Sequence, residues 1–283
     1  MPLPNTASIL LSLMAVIIFP INNDAQSPSA ADLTIHAPLL IKTPEIDGYI
    51  DEWKDVSFSD GIWDIQRLRY TPWFDQRINR LTDHGNETHP NHDLQARYYI
   101  AWDKQYLYLA AEGWDNINDV EDPEPGKNRW WFMDAVAWYM EAPRDEAPEF
   151  FNQGDNAFCF VIDPRKPDYG AWWMHGTTDN PKIHEPLPKK AVDYEVRLNP
   201  WGGSNADFVL EARVDMEATF GVRDPNWKAP EIGDLYSLEI VHTDPDGGKY
   251  GGHFVLYGNG DDDSTWAKLV LVGPSETIKR LKE

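Results

Sequence analysis

The chain has 283 residues, a formal net charge of -22 and 42% hydrophobic residues. This length suits one large domain or two small ones, and the composition is that of a soluble globular protein. The acidic excess argues against nucleic acid and anionic membranes as partners, because both require basic patches. The single cysteine, Cys159, excludes an intrachain disulfide and a cysteine-based zinc site.

The first thirty residues differ from the rest of the chain. Residues 9–19 are apolar except for Ser12. This run is too short to span a membrane, and it is typical of the hydrophobic region of a signal peptide. Small residues follow at Ala25 and Ser27, although no Lys or Arg precedes the run. We expect residues 1–25 to be a signal peptide and the protein to be secreted or periplasmic, without membrane insertion.

Short apolar or alternating segments dominate the remaining sequence. The segments 94–102 and 106–112, joined by a polar link, predict a β-hairpin. No segment keeps a helical period over three turns, so only short helical turns are predicted, at 51–56 and 215–220. Further strands are predicted at 135–140, 158–162, 208–214, 236–242, 253–257 and 268–272.

The order of these strands predicts an all-β fold, an antiparallel β-sandwich. We expect one domain over residues 38–273, followed by a tail at 274–283. The polar stretches 75–91 and 142–156 are too long for tight turns, and they predict long loops on the rim of the sandwich.

Tryptophan is abundant, with 13 copies. Its flat, half-polar ring forms either core packing or a stacking surface for a neutral ligand such as a sugar. The pair Trp130-Trp131 precedes a predicted strand, and the pair Trp172-Trp173 lies within one. Because adjacent residues of a strand face opposite sides, one of Trp172 and Trp173 is expected to be buried and the other exposed.

Five segments carry recognisable patterns in a fixed order along the chain. They are the segment IDGYIDEW at 46–53, the hairpin at 97–115, a Trp-x-x-Asp-x-Val strand at 131–138, the strand at 207–215 with its Glu-Ala-Arg-Val, and the late strand with an acidic turn at 233–246. In this order they resemble family 9 carbohydrate-binding modules. The resemblance implies a β-sandwich that binds sugars with stacked tryptophans and polar side chains, often beside glycoside hydrolase domains.

The resemblance also implies roles for single residues. Trp131 matches the first stacking tryptophan of the family, with Asp134 following it, and Asp115 matches an acidic residue that contacts sugar hydroxyls. Asn259 can supply an amide from the loop 258–264. That loop is where the second stacking tryptophan of the family belongs, and it contains no tryptophan.

Two further positions depart from the family pattern. Ala137 stands where the family has a glutamate, and Phe160 is interpreted as the replacement for a basic residue on the following strand. The exposed member of Trp172 and Trp173 is a candidate for the missing second stacking surface. The ligand of the family therefore does not transfer directly to this chain.

Oxygen-rich turns make calcium a candidate ligand. Carboxylates in turns supported by glycine suit Ca²⁺, and the resemblance implies structural calcium. Such turns occur at 115–122, 244–248 and 261–263, and Asp244 and Asp246 are the candidate ligands. Three spaced histidines, which can hold a transition metal or belong to a solvated loop, lie at His84, His89 and His92.

These patterns predict a carbohydrate-binding protein without catalytic residues. The sequence contains no nucleophile elbow, P-loop or dinucleotide fingerprint. A second hypothesis is a b-type haem sandwich with ligands among Met133, Met140, Met174, His175 and His253. A third is a glycan-active hydrolase or lyase that uses paired carboxylates, and a fourth is an envelope protein that has lost its sugar site.

Overall fold

A computed structural model describes residues 33–61, 69–71, 74–75, 80–81, 94–120, 129–145, 153–165, 170–177, 182–245, 253–255, 260 and 262–274. The predicted signal peptide and the three histidines His84, His89 and His92 lie outside these residues. No helix in the described ranges is long and apolar enough to cross a membrane.

Strands make up most of the regular secondary structure in the described residues. The strands are β1 (Thr34–Pro38), β2 (Phe58–Gly61), β3 (Arg69–Thr71), β4 (Phe74–Asp75), β5 (Arg80–Leu81), β6 (Gln95–Trp102), β7 (Tyr106–Trp114), β8 (Ala135–Glu141), β9 (Asp155–Val161), β10 (Ala171–His175), β11 (Ile183–Pro186), β12 (Val192–Leu198), β13 (Phe208–Asp215), β14 (Leu235–Thr243), β15 (His253–Val255) and β16 (Ala267–Val272). The helical elements are α1 (Asp51–Lys54), two 3₁₀ turns at Trp130–Phe132 and Asp263–Thr265, and a π turn at Glu217–Gly221. Both predicted helical turns are therefore confirmed.

Two sheets form a β-sandwich, which confirms the predicted fold class. Among the described strands, the first sheet has the order β1-β16-β14-β8-β9-β10-β11, with β15 on β14 and β3 on β15. The second sheet has the order β12-β13-β7-β6-β2. The predicted hairpin is the β6–β7 pair. The antiparallel prediction fails at one edge, where β1 pairs with β16 in parallel, because the N-terminal segment supplies a strand that the sequence pattern did not indicate.

The central core fills the space between the two sheets. Alternate residues of β8, Val136, Trp138 and Met140, point into it and are fully buried. The indole of Trp138 packs edge-on against Tyr98, with ring centroids 6.4 Å apart, and against Phe160 at 5.9 Å. Trp138 is therefore a central contact between the two sheets.

The segment around α1 covers the outer face of the second sheet. Glu211 of β13 is buried, and its Oε1 accepts a 2.7 Å hydrogen bond from the Trp53 indole. Its Oε2 accepts the backbone N–H groups of Asp47 and Gly48, each at 3.0 Å. Gly48 has φ +80° and a Cβ there would lie 3.3 Å from Glu195 Cγ, so this turn favours glycine. The IDGYIDEW segment thus anchors the chain on the sandwich.

The outer face of the first sheet is built from small and aromatic side chains. The strand register places Val241, Ala137, Cys159 and Trp172 side by side in one row across β14, β8, β9 and β10. All four are buried and belong to one apolar cluster, separate from the central core. The two residues in the middle of the row, Ala137 and Cys159, have small side chains.

Candidate functional site

Trp131 lies on the outer face of the first sheet, next to β8. The 3₁₀ turn Trp130–Phe132 places it there, with Trp130 buried and Trp131 half-buried. The two indoles meet edge-on, with ring centroids 5.8 Å apart. Trp131 is therefore held by its neighbour and keeps part of its ring at the surface.

His184 of β11 links Trp131 to Trp172. Its ring centroid is 5.2 Å from that of Trp131 and 4.9 Å from that of Trp172. Its Nε2 accepts a 3.0 Å hydrogen bond from the Trp130 indole, which assigns the proton of the neutral ring to Nδ1. Burial, with a smaller contribution from the charge of Lys182, lowers the pKa of His184 to about 4.

We call Trp130, Trp131, Trp172 and His184 the aromatic cluster. The lowered pKa keeps the His184 imidazole neutral at physiological pH. The neutral ring can therefore accept the hydrogen bond from the Trp130 indole. Residue His184 was not among the predicted site residues. The signal that identifies it is the β10–β11 register, in which it lies opposite Met174 on the outer face.

The expectation that one tryptophan of the Trp172-Trp173 pair is exposed is wrong. Trp172 is 4% exposed and Trp173 is 1% exposed. The two do face opposite sides, since Trp173 lies in the central core and its indole donates a 2.8 Å hydrogen bond to Asn156 Oδ1. Trp172 is buried as well, and the His184 ring packs against it at a centroid distance of 4.9 Å. Only Trp172 therefore shares a face with Trp131.

The register also corrects the position opposite Ala137. Ala137 pairs directly with Cys159, and both belong to the outer apolar cluster. Phe160 instead lies in the central core beside Trp138. Phe160 therefore does not share the outer face with Ala137, because adjacent residues of a strand face opposite sides. The neighbour of Ala137 on that face is Cys159, whose thiol pKa is raised by burial.

Three buried aspartates converge where β7, β8 and β14 meet their loops. Asp134 directly precedes β8, and Asp244 directly follows β14. The antiparallel pairing of Thr243 with Ala135 places these two aspartates opposite each other. Asp115, which follows β7, joins them, and the three carboxylates offer oxygens that all lie within 4.8 Å of one another. We call this group the first acidic cluster.

The electrostatics of Asp134 show the cost of this arrangement. Burial raises its pKa well above the ordinary range, and the neighbouring Asp115 and Asp244 carboxylates raise it further. Its Oδ2 accepts the backbone N–H of Asp119, while its Oδ1 has no hydrogen-bond partner among the described residues. Oxygen ligands of this kind can hold a hard divalent cation, which would neutralise the buried charge.

Burial changes the roles expected for the two aspartates from the resemblance. Asp115 is 5% exposed and Asp134 is 1% exposed, and both carboxylates turn toward Asp244. A direct contact of either one with a sugar hydroxyl is therefore not supported. Asp244 lies in the cluster, while Asp246 and Asn259 lie outside the described residues.

The haem candidates do not form a ligand pair in the described residues. Met140 and His175 are fully buried on the inner side of the first sheet, whereas Met133 and Met174 lie on its outer side. His175 Nε2 already lies 3.0 Å from Glu185 Oε1. The His253 side chain is outside the described part of the chain. No described contact favours the haem interpretation.

Comparison with known proteins defines the fold. No protein-family model and no curated protein matches this sequence. A family 9 carbohydrate-binding module from Caldicellulosiruptor kristjanssonii in complex with cellotriose matches with a TM-score of 0.53 and 16% identity, over 85% of this chain and 94% of that one. Its complex with glucose matches with a TM-score of 0.52 and 15% identity, over 85% and 96%. The chain therefore has a fold like that of family 9 carbohydrate-binding modules.

Proposed function

We propose that this protein is a secreted carbohydrate-binding protein whose ligand stacks on Trp131 at the outer face of the first sheet. The observation that carries the proposal is the aromatic cluster, in which Trp131, Trp172 and His184 share that face of the sandwich. Solved structures with this fold hold cellotriose and glucose. Secretion rests on the apolar run at residues 9–19.

The aromatic cluster suits stacking because its rings pack against one another without a ligand. Trp131 is packed against Trp130 and His184, so little conformational freedom remains to be lost on binding. The apolar C–H face of a pyranose ring can lie on the exposed part of its indole. Trp172 is buried and does not contact the ligand in this proposal; it packs against His184 and helps to hold that ring in place.

The strand residues beneath the aromatic cluster favour a modest affinity for sugar. Ala137 and Cys159, which are neighbours in the register, bring no charged acceptor or donor for sugar hydroxyls. Stacking and loop contacts must then supply the binding energy. We expect dissociation constants of roughly 10 µM to 1 mM, or about -4 to -7 kcal/mol.

Trp131→Ala is expected to weaken binding about two- to tenfold, because stacking on one aromatic ring contributes about 0.5–1.5 kcal/mol. Calorimetry with the best ligand from a panel of plant and algal oligosaccharides measures this effect. Trp201→Ala is the matched control, since Trp201 is 42% exposed, stacks on Trp114 at a ring distance of 4.3 Å and is not a member of the aromatic cluster. Equal affinities of wild type and Trp131→Ala would show that the ligand does not stack on Trp131.

We further propose that the first acidic cluster binds calcium and thereby fixes the turn that carries Trp131. Asp134 follows that turn by two residues, and its own N–H donates to the Asp119 carbonyl at 2.8 Å. A cation held by Asp115, Asp134 and Asp244 would join the ends of three strands. The orphaned Oδ1 of Asp134 and the all-oxygen ligand set support this assignment.

Calcium is therefore expected to increase the sugar affinity of the wild type by about threefold or more, a coupling of roughly 0.6 kcal/mol. In Asp244→Asn, which removes one ligand charge, the added calcium is expected to change the affinity less than in the wild type. Asp193→Asn, an exposed aspartate of β12 paired with Arg213, is the control and is expected to respond like the wild type. Titration of sugar in EGTA and in calcium measures the coupling, and an Asp244→Asn variant that responds fully would contradict it.

A further inference from the structure

The edge strand β11 brings two nitrogen-bearing side chains to the side of the sheet on which Trp131 lies. His184 of β11 has its ring centroid 5.2 Å from that of Trp131. Lys182 is exposed and precedes His184 by two residues, immediately before the strand begins. Because residues two apart along an extended chain face the same side, the Lys182 side chain leaves the backbone on the outer face, next to the aromatic cluster.

His184 offers a hydrogen-bond donor at this surface. Its Nε2 accepts the Trp130 indole, so the neutral ring carries its proton on Nδ1. Nδ1 has no hydrogen-bond partner among the described residues, and the His184 side chain is half-buried. A ligand that stacks on Trp131 therefore meets an N–H group beside it, which an acceptor oxygen of the ligand can satisfy.

The charge that acts on this face is positive. Burial is the main cause that lowers the pKa of His184 to about 4, and the Lys182 ammonium adds to it. The same ammonium acts on the Cys159 thiol, where it opposes the burial that raises the pKa. The net charge of -22 does not describe this surface, since salt screens charges that lie more than about 8 Å apart at physiological ionic strength.

The carboxylates that lie close by along the chain have other partners. Glu185 follows His184 and faces the opposite side of β11, where its Oε1 lies 3.0 Å from His175 Nε2. The same oxygen accepts a 2.8 Å hydrogen bond from Arg223. Asp134, which follows the turn that carries the aromatic cluster, is buried in the first acidic cluster. These carboxylates therefore do not oppose a negative group next to Lys182.

We propose that the site at Trp131 prefers an acidic sugar, one whose ring carries a carboxylate or a sulfate ester, and that Lys182 and the His184 Nδ1–H bind this anionic group. The inference rests on the proposed sugar site and names its ligand class. The row beneath the aromatic cluster has Ala137 and Cys159 in its middle, so it adds no carboxylate that would repel the ligand. Two donors on one side of the stacked ring suit two oxygens of one anionic group.

Paired ligands that differ in charge test this preference by calorimetry on the full chain. The carboxylate pairs are trisaccharides of galacturonate, mannuronate and glucuronate, each with its carboxyl-reduced counterpart. The sulfate pair is a sulfated galactose trisaccharide and its desulfated counterpart, so the two kinds of pair tell the two anions apart. We expect the wild type to bind the charged member of at least one pair about three- to tenfold more tightly, the size expected for an exposed ion pair supported by one hydrogen bond.

Three lysine variants locate the preference. Lys182→Gln is expected to reduce the charged-to-neutral affinity ratio at least about twofold, because it removes the ion pair. Lys182→Arg keeps the charge and is expected to keep most of the ratio. Lys190→Gln is the matched control, since it removes the same charge from an exposed lysine in the turn before β12 of the second sheet. It is expected to keep the wild-type ratio.

The possible failures separate this preference from the proposed function. Equal affinities for both members of every pair, with Trp131→Ala weakening both, would overturn the preference for acidic sugars and leave the sugar site at Trp131 in place. A ratio that falls as much in Lys190→Gln as in Lys182→Gln would also overturn it, because the preference would then follow from total charge. A wild type that binds no member of any pair and no oligosaccharide of the plant and algal panel would contradict the proposed function itself, and the preference with it.

Discussion

Trp138→Ala is expected to lower the free energy of unfolding by about 3–5 kcal/mol, the range for truncating a large aromatic side chain in a packed core. Trp138 is fully buried, and its ring contacts Tyr98 of the second sheet and Phe160 of the first. The substitution removes apolar contacts with both sheets, and the cavity that it leaves cannot close without moving one of them. Urea-induced unfolding measures the loss.

A second truncation tests whether the loss depends on the buried position of Trp138 or follows from removing any tryptophan. Trp114→Ala removes the same side chain at a position that is 37% exposed and stacked on Trp201. Its expected cost is about 0.5–1.5 kcal/mol, the contribution of an aromatic pair. Comparable losses in Trp138→Ala and Trp114→Ala would show that the two sheets are not held together through Trp138.

Glu211→Ala is expected to lower the free energy of unfolding by about 2–4 kcal/mol. The substitution removes the acceptor of hydrogen-bond donors that are buried under the N-terminal segment. The donors are the Trp53 indole and the N–H groups of Asp47 and Gly48. Without the carboxylate, the turn at Gly48 loses its attachment to β13. Glu211→Gln keeps one acceptor oxygen, and its expected loss in chemical unfolding is smaller. Equal losses in the two variants would contradict the role of the carboxylate as acceptor.

The pH dependence of stability in wild type and Glu211→Gln gives a second measurement. Burial raises the pKa of Glu211 to about 7, in spite of the hydrogen bonds that lower it. The folded protein therefore holds this proton more tightly than the unfolded chain, so the contribution of Glu211 to stability is complete below about pH 4.5 and falls as the pH rises to about 7. Glutamine does not titrate, so the advantage of wild type over Glu211→Gln is expected to shrink over this range. A stability difference between wild type and Glu211→Gln that grows with pH would contradict the raised pKa of Glu211.

The sheets were largely predictable because their strands carry local signals. The alternation at residues 106–112 and 236–242 and the turn residues between the segments predicted β7 and β14 within a few residues. The turn around Gly48 and the indole of Trp53 belong to a recognisable local motif as well. The edge strands β1, β2, β11 and β12 were missed, since an edge strand depends on its one partner more than on its own pattern.

The site was less predictable because it depends on register between distant strands. Trp131 was identified from its motif, but His184 reaches it only through the pairing of β10 with β11. Phe160 and Cys159 are adjacent in the sequence, yet Phe160 lies in the central core and Cys159 on the outer face. The first acidic cluster likewise joins residues that lie more than one hundred positions apart, such as Asp134 and Asp244.

Carbohydrate binding at Trp131 is best tested by a crystal structure of the protein with its tightest ligand from the oligosaccharide panel. We expect a sugar ring stacked on the Trp131 indole at about 4 Å, the ordinary contact distance between carbon atoms, with His184 beside it. A sugar bound at the exposed Trp114–Trp201 pair, or elsewhere with Trp131 uncontacted, would contradict the proposed binding site.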